Sequence, residues 1–182
     1  MSGSSAVAVF GSSQTDPDSR RWAEAERVGT RLAGAGFAVI TGGYGGTMEA
    51  VSKGASEAGG HVIGVTAPPL FPGRHGSNPY VAELIEAEEL VGRIGVMMER
   101  AAGTIALPGS IGTATELLIA WNVNHIVRRN GGRHLPTVAV GGEWRKVVET
   151  LVSEVDAFPG DVHLVGTPDD GVDWILEQLT NR

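Results

Sequence analysis

The chain has 182 residues, of which 42% are hydrophobic, and a formal net charge of −7 at pH 7. This acidic balance argues against nucleic acid or an anionic membrane as a partner, although a few placed amides could still hold a small anion. The absence of cysteine excludes disulfides, thiolate metal sites and cysteine nucleophiles. Residues 1–5 carry no basic leader, and no apolar run is long enough to span a membrane. We therefore expect a cytoplasmic protein that folds as a single nucleotide-binding domain over residues 1–182.

Short β-branched apolar runs alternate along the chain with longer segments of helical period. The predicted strands, in chain order, are Ala6–Phe10, 37–40, 61–65, 84–87, 104–107, Thr137–Val140 and 162–165. Asp16 and Pro17 predict the start of the first helix, as a cap followed by proline in the first turn. Later helices are predicted over 47–58, around Arg93, after Gly112 and after each of the last two strands. The predicted fold class is α/β, a Rossmann-like doubly wound parallel sheet with helices on both faces.

Three of the predicted strands end in glycine-rich turns. In an open parallel sheet the carboxyl ends of the strands share one edge, where ligands bind at the reversal of strand order. A helix that starts there presents unpaired N–H groups and a partial positive charge, so a phosphate is the expected ligand. Any doubly wound protein needs tight turns at this edge, but three such turns favour a ligand. The predicted phosphate- and nucleotide-binding residues are Gly11, Ser12, Gly43, Gly45, Gly46, Gly109, Ser110, Ile111, Gly112 and Thr113.

Other glycine-rich motifs fit these turns poorly. A dinucleotide fingerprint after Gly43 and Gly45 requires a third glycine where the chain has Met48. A phosphate loop of the ATPase type ends in Gly-Lys-Ser/Thr, and no lysine lies near the turns. A hydrolase elbow has glycine two residues before its serine, and the residue two before Ser110 is Pro108. Triphosphate hydrolysis and a serine nucleophile are therefore not expected, and the spacing of the five histidines predicts no metal site.

Residues 108–116, Pro-Gly-Ser-Ile-Gly-Thr-Ala-Thr-Glu, resemble the Pro-Gly-Gly-x-Gly-Thr-x-x-Glu signature of the Lonely Guy family. These proteins are cytokinin-activating phosphoribohydrolases that were once called lysine decarboxylases. Arg93 stands where the family has the arginine of an Arg-Lys pair, and the alternation of strands matches over nearly the whole chain. Ser110 and Ile94 depart from the family's second glycine and its lysine. The turn that contains Tyr44 is closer to relatives that include the molybdenum-cofactor carrier proteins.

The resemblance implies a homodimer, with its site near the interface, that cleaves AMP or N6-substituted AMP to the free base and ribose 5-phosphate. It also implies that Glu116 and Arg93 are the catalytic residues. A carboxylate one turn into the helix could stabilise positive charge on the ribose or activate water, and a guanidinium could bond the ligand. Two structural interpretations stay open. Glu116 has the capping-box spacing from Thr113, and Arg93 could form a surface ion pair, with Arg100 as the competing arginine.

No cofactor is expected. Pyridoxal-dependent decarboxylation needs a lysine for the Schiff base, and the two lysines, Lys53 and Lys146, fall in predicted helices away from the glycine-rich edge. The alternative function is a carrier or sensor that binds a nucleotide or a molybdopterin-type cofactor without cleaving it. Arg74 and His75 lie in a proline-rich loop, 67–79, that is long enough to reach over a site. They could close over a ligand or form a polar loop tip.

Overall fold

The computed structural model describes residues 5–74, 76–155 and 157–181. In these residues the strands are β1 Ala6–Phe10, β2 Ala38–Thr41, β3 Val62–Thr66, β4 Glu83–Glu86, β5 Ala101–Ala106, β6 Thr137–Val140 and β7 His163–Val165. The helices are α1 Arg20–Gly34, α2 Thr47–Glu57, α3 Leu90–Arg100, α4 Ile111–Asn130, α5 Gly142–Glu154 and α6 Pro168–Thr180. Short 3-10 turns occur at Pro68–Leu70 and Pro159–Asp161. No helix in the described part of the chain is long and apolar enough to cross a membrane.

The strands form one parallel sheet in the order β4-β3-β2-β1-β5-β6-β7. The order runs outward from β1 in one direction and from β5 in the other, so its reversal lies between these two neighbours. Phe10 and Ala106 are paired there, and the Leu107 N–H donates to the Phe10 carbonyl at 2.9 Å. The turns that follow β1 and β5 therefore leave the same edge side by side, and the crevice expected at a reversal lies between them.

Helices cover both faces of the sheet. Alternate residues of β1 point to opposite faces, so that Phe10 packs with the apolar side chains of α3, α4 and α5, and Val9 packs with those of α1, α2 and α6. Helices α1 and α2 approach closely because Gly54 has no side chain. A Cβ at this position would lie 1.9 Å from the Glu26 carbonyl oxygen, which is too close for any residue but glycine. The predicted doubly wound α/β fold is confirmed.

The predicted start of the first helix is wrong by three residues. Helix α1 begins at Arg20, and its N-cap is Ser19, whose side chain accepts a hydrogen bond from the Trp22 N–H at 3.2 Å. Asp16 instead accepts from the Asp18 N–H at 2.9 Å and closes a turn before the helix. Aspartate and serine are both good N-caps, so the local sequence does not choose between them.

Candidate active site

A cavity of about 260 Å³ lies at the carboxyl edge of the sheet, over the reversal between β1 and β5. We refer to it as the inner cavity. The predicted site residues in its lining are Gly11, Arg93, Ser110, Ile111, Gly112, Thr113 and Glu116. The other predicted residues, Ser12, Gly43, Gly45, Gly46 and Gly109, lie outside this lining. The turns after β1 and β5 therefore meet at one space, together with one arginine from α3.

The N-terminus of α4 opens into the inner cavity. Its N-cap Ser110 makes no side-chain capping bond, and the first turn contains no acidic residue. Within the described residues, the N–H groups of Ile111 and Gly112 have no hydrogen-bond partner. Ser110 has φ −109 and ψ −166, an extended conformation open to any residue, so serine replaces the family's glycine without strain. The first turn of α4 thus offers free donors and a partial positive charge to an anion.

Thr113 adds a hydroxyl group to this site. Its side chain is 2% exposed, and its Oγ1 has no hydrogen-bond partner in the described structure. The turn before α4 lies close to this hydroxyl, because Gly109 has no side chain. A Cβ at this position would be 2.2 Å from Thr113 Oγ1. A buried donor without a partner costs about 1–3 kcal/mol, so a ligand that accepts from it gains affinity.

The N-terminus of α2 is partly occupied by the protein itself. The Thr47 N–H donates to the Ser12 carbonyl at 2.8 Å. The carboxylate of Glu49, in the first turn of α2, lies beside Gly45, 3.6 Å from where a Cβ would stand. Gly46 has φ +68 and packs against the backbone of residues 12–13, a position that glycine alone fills without strain. The middle glycine turn therefore joins neighbouring loops, and its helix has an acidic residue in the first turn, which α4 lacks.

Arg93 is buried in the wall of the inner cavity, with 6% of its surface exposed. Its Nε donates to the Val65 carbonyl at 2.7 Å, and its Nη2 donates to the Gly42 carbonyl at 2.9 Å. Burial lowers the pKa of the Arg93 guanidinium, and the charge of Glu116 opposes this effect. The interpretation of Arg93 as a surface ion pair is therefore wrong.

The structure also separates Arg93 from Arg100. Arg100 is the last residue of α3, directly before β5, and therefore lies at the amino edge of the sheet. There it forms an ion pair with Glu83, the first residue of β4. Since the inner cavity opens at the carboxyl edge, Arg93 is the arginine of α3 that reaches it.

Glu116 lies in the second turn of α4 and is half-buried in the cavity lining. The capping-box interpretation is wrong, because the N-cap is Ser110 and Thr113 is already inside the helix. Within the described residues, the Glu116 carboxylate has no hydrogen bond and no ion pair. Burial raises the pKa of Glu116 to about 7, although the positive charge of Arg93 acts in the opposite direction. A carboxyl group that titrates near neutrality beside an anion site is suited to acid–base chemistry.

The sequence motifs did not identify the aromatic part of the cavity wall. Phe71, in the loop 67–79, lines the cavity and contacts Tyr44 edge to face, with ring centroids 5.4 Å apart. The Tyr44 hydroxyl accepts from the Ala67 N–H at 2.9 Å and so attaches this loop to the turn after β2. Arg74 of the same loop also lines the cavity. His75, considered with Arg74 from the sequence, lies outside the described residues.

Known proteins resemble this chain in sequence and in fold. The model of the SLOG cluster4 family matches residues 4–146. The cytokinin riboside 5′-monophosphate phosphoribohydrolase of Mycobacterium marinum is 33% identical over 118 residues, which are 64% of this chain and 60% of that protein. The pyrimidine/purine nucleotide 5′-monophosphate nucleosidase of Escherichia coli K12 is 38% identical over 103 residues, 52% of this chain and 22% of that protein. The chain therefore spans less than two thirds of either relative, and the predicted resemblance to the phosphoribohydrolases is confirmed.

The fold match extends over nearly the whole chain. The molybdenum cofactor binding protein of the phototrophic bacterium Rippkaea orientalis superposes with a TM-score of 0.76. The match covers 98% of this chain and 99% of that one, at 19% sequence identity. At this identity the likeness establishes the shared fold alone.

Proposed function

Because the chain belongs to the SLOG cluster4 family, we propose that it hydrolyses the N-glycosidic bond of a nucleoside 5′-monophosphate. The substrate is AMP or an N6-substituted AMP, and the products are the free base and ribose 5-phosphate. The names of the Mycobacterium and Escherichia coli relatives support this reaction class. The observation that carries the proposal is that Glu116 and the open N-terminus of α4 line one cavity.

The phosphate of the substrate binds at the first turn of α4. The N–H groups of Ile111, Gly112 and Thr113 donate to its oxygens, and the helix dipole favours its negative charge. The Thr113 hydroxyl, which has no partner within the described structure, donates one more hydrogen bond. A Cβ on Gly112 would meet no atom within 4 Å, so the space above this residue is open to a ligand.

Glu116 lies one turn further along α4, on the side of the ribose of a nucleotide held in this way. Departure of the base develops positive charge on the ribose, which an ionised carboxylate stabilises. The carboxylate can also take a proton from the attacking water, whose oxygen bonds to the anomeric carbon. The base leaves with the bonding electron pair and takes up a proton from solvent, to which Glu116 then returns its own. Arg93 is fixed by two backbone carbonyls, and its charge favours the ionised form of Glu116 near neutral pH.

The protein acts as a cytoplasmic homodimer of a single nucleotide-binding domain. Two large apolar side chains of α4 support the dimer, because Leu118 is 39% exposed and Ile126 is 48% exposed. Val155 and Phe158 are also exposed, at 53% and 45%, and Val155 shares a surface pocket with Leu118. An exposed apolar patch of this kind is a surface that a second copy covers.

A carrier or sensor is the second candidate function. It is favoured by Ile94, which follows Arg93, is 2% exposed and occupies the position of the family's lysine. A site that lacks this second cation could retain a nucleotide or a pterin-type cofactor without cleaving it. The two candidates share the anion site of α4 and differ in whether a bond is broken.

Base release distinguishes the two functions. Purified protein is incubated with AMP and with N6-substituted AMP, and the base and ribose 5-phosphate are measured by chromatography. The enzyme is expected to release equal amounts of both products, whereas adenosine, which lacks the phosphate, is expected to react much more slowly. Binding of AMP without release of base would reject hydrolysis in favour of the carrier.

A further inference from the structure

Arg74 has a guanidinium group with no acidic partner in the described part of the chain. Its Nη2 donates to the Ser13 hydroxyl at 3.2 Å, and no ion pair includes it. The guanidinium lies over the rings of Tyr44 and Phe71, 4.9 Å and 4.7 Å from their centroids. The side chain is only half-buried. Arg74 is thus held by weak, neutral contacts at the edge of the site, and a stronger anionic acceptor can replace the Ser13 hydroxyl.

The contact between Arg74 and Ser13 separates two cavities. Both residues line the inner cavity, and both line a second cavity of about 390 Å³, which we call the outer cavity. Ser13 belongs to the turn after β1, the strand beside β5 at the reversal of the sheet. The guanidinium is therefore already placed next to the turn that faces the N-terminus of α4 across the inner cavity.

The charges in the inner cavity leave one cation free to bind the phosphate. Arg93 is fixed by the carbonyls of Val65 and Gly42, and its charge interacts with Glu116. Residues 111–114, at the start of α4, contain neither an acidic nor a basic side chain. The positive charge that α4 contributes is therefore only that of the helix dipole, about half a unit. A phosphate carries nearly two negative charges at neutral pH. Arg74 is the remaining cation in the cavity lining.

We propose that Arg74 is a phosphate-binding residue that determines specificity for 5′-monophosphates over nucleosides. This inference rests on the proposed function, since it concerns the phosphate held at α4. On binding, the guanidinium leaves Ser13 and donates two hydrogen bonds to the phosphate. The planar fork of arginine can do this and remain stacked on Phe71 and Tyr44, whereas the ammonium group of lysine cannot.

Binding affinities for AMP and for adenosine test this role. Calorimetry is performed on the wild-type protein, on Arg74→Gln and Arg74→Lys, and on Arg100→Gln as the matched control. Arg100→Gln removes the same charge at the opposite edge of the sheet. Arg74→Gln is expected to weaken AMP binding by about 10- to 100-fold and to leave adenosine binding within about twofold of wild type. Arg74→Lys is expected to recover part of the loss, and Arg100→Gln is expected to bind both ligands as wild type does.

The outcomes separate this inference from the proposed function. If the wild-type protein binds AMP well and releases base, but Arg74→Gln binds AMP as tightly, the inference is overturned and the function stands. An equal loss for AMP and adenosine would also overturn it, because Arg74 would then hold the base or the loop. If the wild-type protein binds AMP no better than adenosine, the phosphate site at α4 is itself wrong. Melting temperatures of all variants confirm that the proteins compared are folded.

Discussion

Replacing Glu116 with glutamine is expected to stabilise the protein and to stop the reaction. The folded protein binds the Glu116 proton more tightly than the unfolded chain does, because burial raises the pKa from its ordinary 4.5 to about 7. The contribution of Glu116 to the free energy of unfolding therefore falls as the pH rises from about 4.5 to about 7. Glutamine keeps the size of the side chain and cannot ionise, so the variant does not lose this stability.

The size of the effect follows from the pKa. A rise from 4.5 to about 7 corresponds to about 3 kcal/mol of unfolding free energy, which is almost fully lost by pH 8 and only about one quarter lost at pH 5. The value already includes the attraction to Arg93. The variant should therefore exceed the wild type by about 1 kcal/mol at pH 5 and about 3 kcal/mol at pH 8. For a chain of this length the second value corresponds to a melting temperature about 6–12 °C higher.

Thermal or urea unfolding at the two pH values gives the stability, and chromatography of the released base gives the activity. Base release should fall by about a hundredfold or more, the loss typical of a general acid or base, while AMP still raises the melting temperature. Glu149→Gln is the matched control, because it removes one carboxylate from a side chain that is 64% exposed on α5. The reasoning is refuted if Glu116→Gln gains no more stability at pH 8 than at pH 5. Base release near the wild-type rate would show that Glu116 is not catalytic.

Three further expectations concern the pH dependence of the reaction, the phosphate site and the assembly of the protein. The kcat/KM for AMP should rise with pH through about 7, because Glu116 must lose its proton to act; a flat profile from pH 5 to 9 would contradict this. Gly112→Leu should weaken AMP far more than adenosine without loss of stability, because its side chain would extend into open space beside the phosphate. Equal losses for both ligands in calorimetry would place the phosphate elsewhere. Light scattering at micromolar concentration should show a dimer through the apolar patch on α4, and a monomer would exclude this assembly.

The local sequence was sufficient to predict the fold class. Hydrophobic period is a local property, and the alternation of β-branched runs with helical segments therefore predicted a parallel sheet covered on both faces. β1 and β6 were predicted with the bounds that the structure has, Ala6–Phe10 and Thr137–Val140. The signature at 108–116 predicted the family for the same reason, since its residues are consecutive. The start of α1 was wrong because two residues, Asp16 and Ser19, satisfy the same local rule.

The composition of the site depends on contacts between residues that are far apart in the sequence. The glycine turns at 42–46 and 109–112 have similar sequences, and only the structure shows that Ser12 accepts from the first N–H of α2 and that Glu49 lies beside Gly45. Arg93 and Arg100 lie on the same helix, and the direction of the chain places one at each edge of the sheet.

The sequence by itself determined which elements form and which family motif the chain carries, because both depend on residues close together in the chain. The tertiary structure alone decided how those elements combine into a site. The loop 67–79 contributes Phe71 and Arg74 because Tyr44 attaches it to the turn after β2. The pKa of Glu116 is raised to about 7 because packing partly shields its carboxyl group from water. Burial and electrostatic interaction depend on distance in space, and a chain brings distant residues together only when it folds.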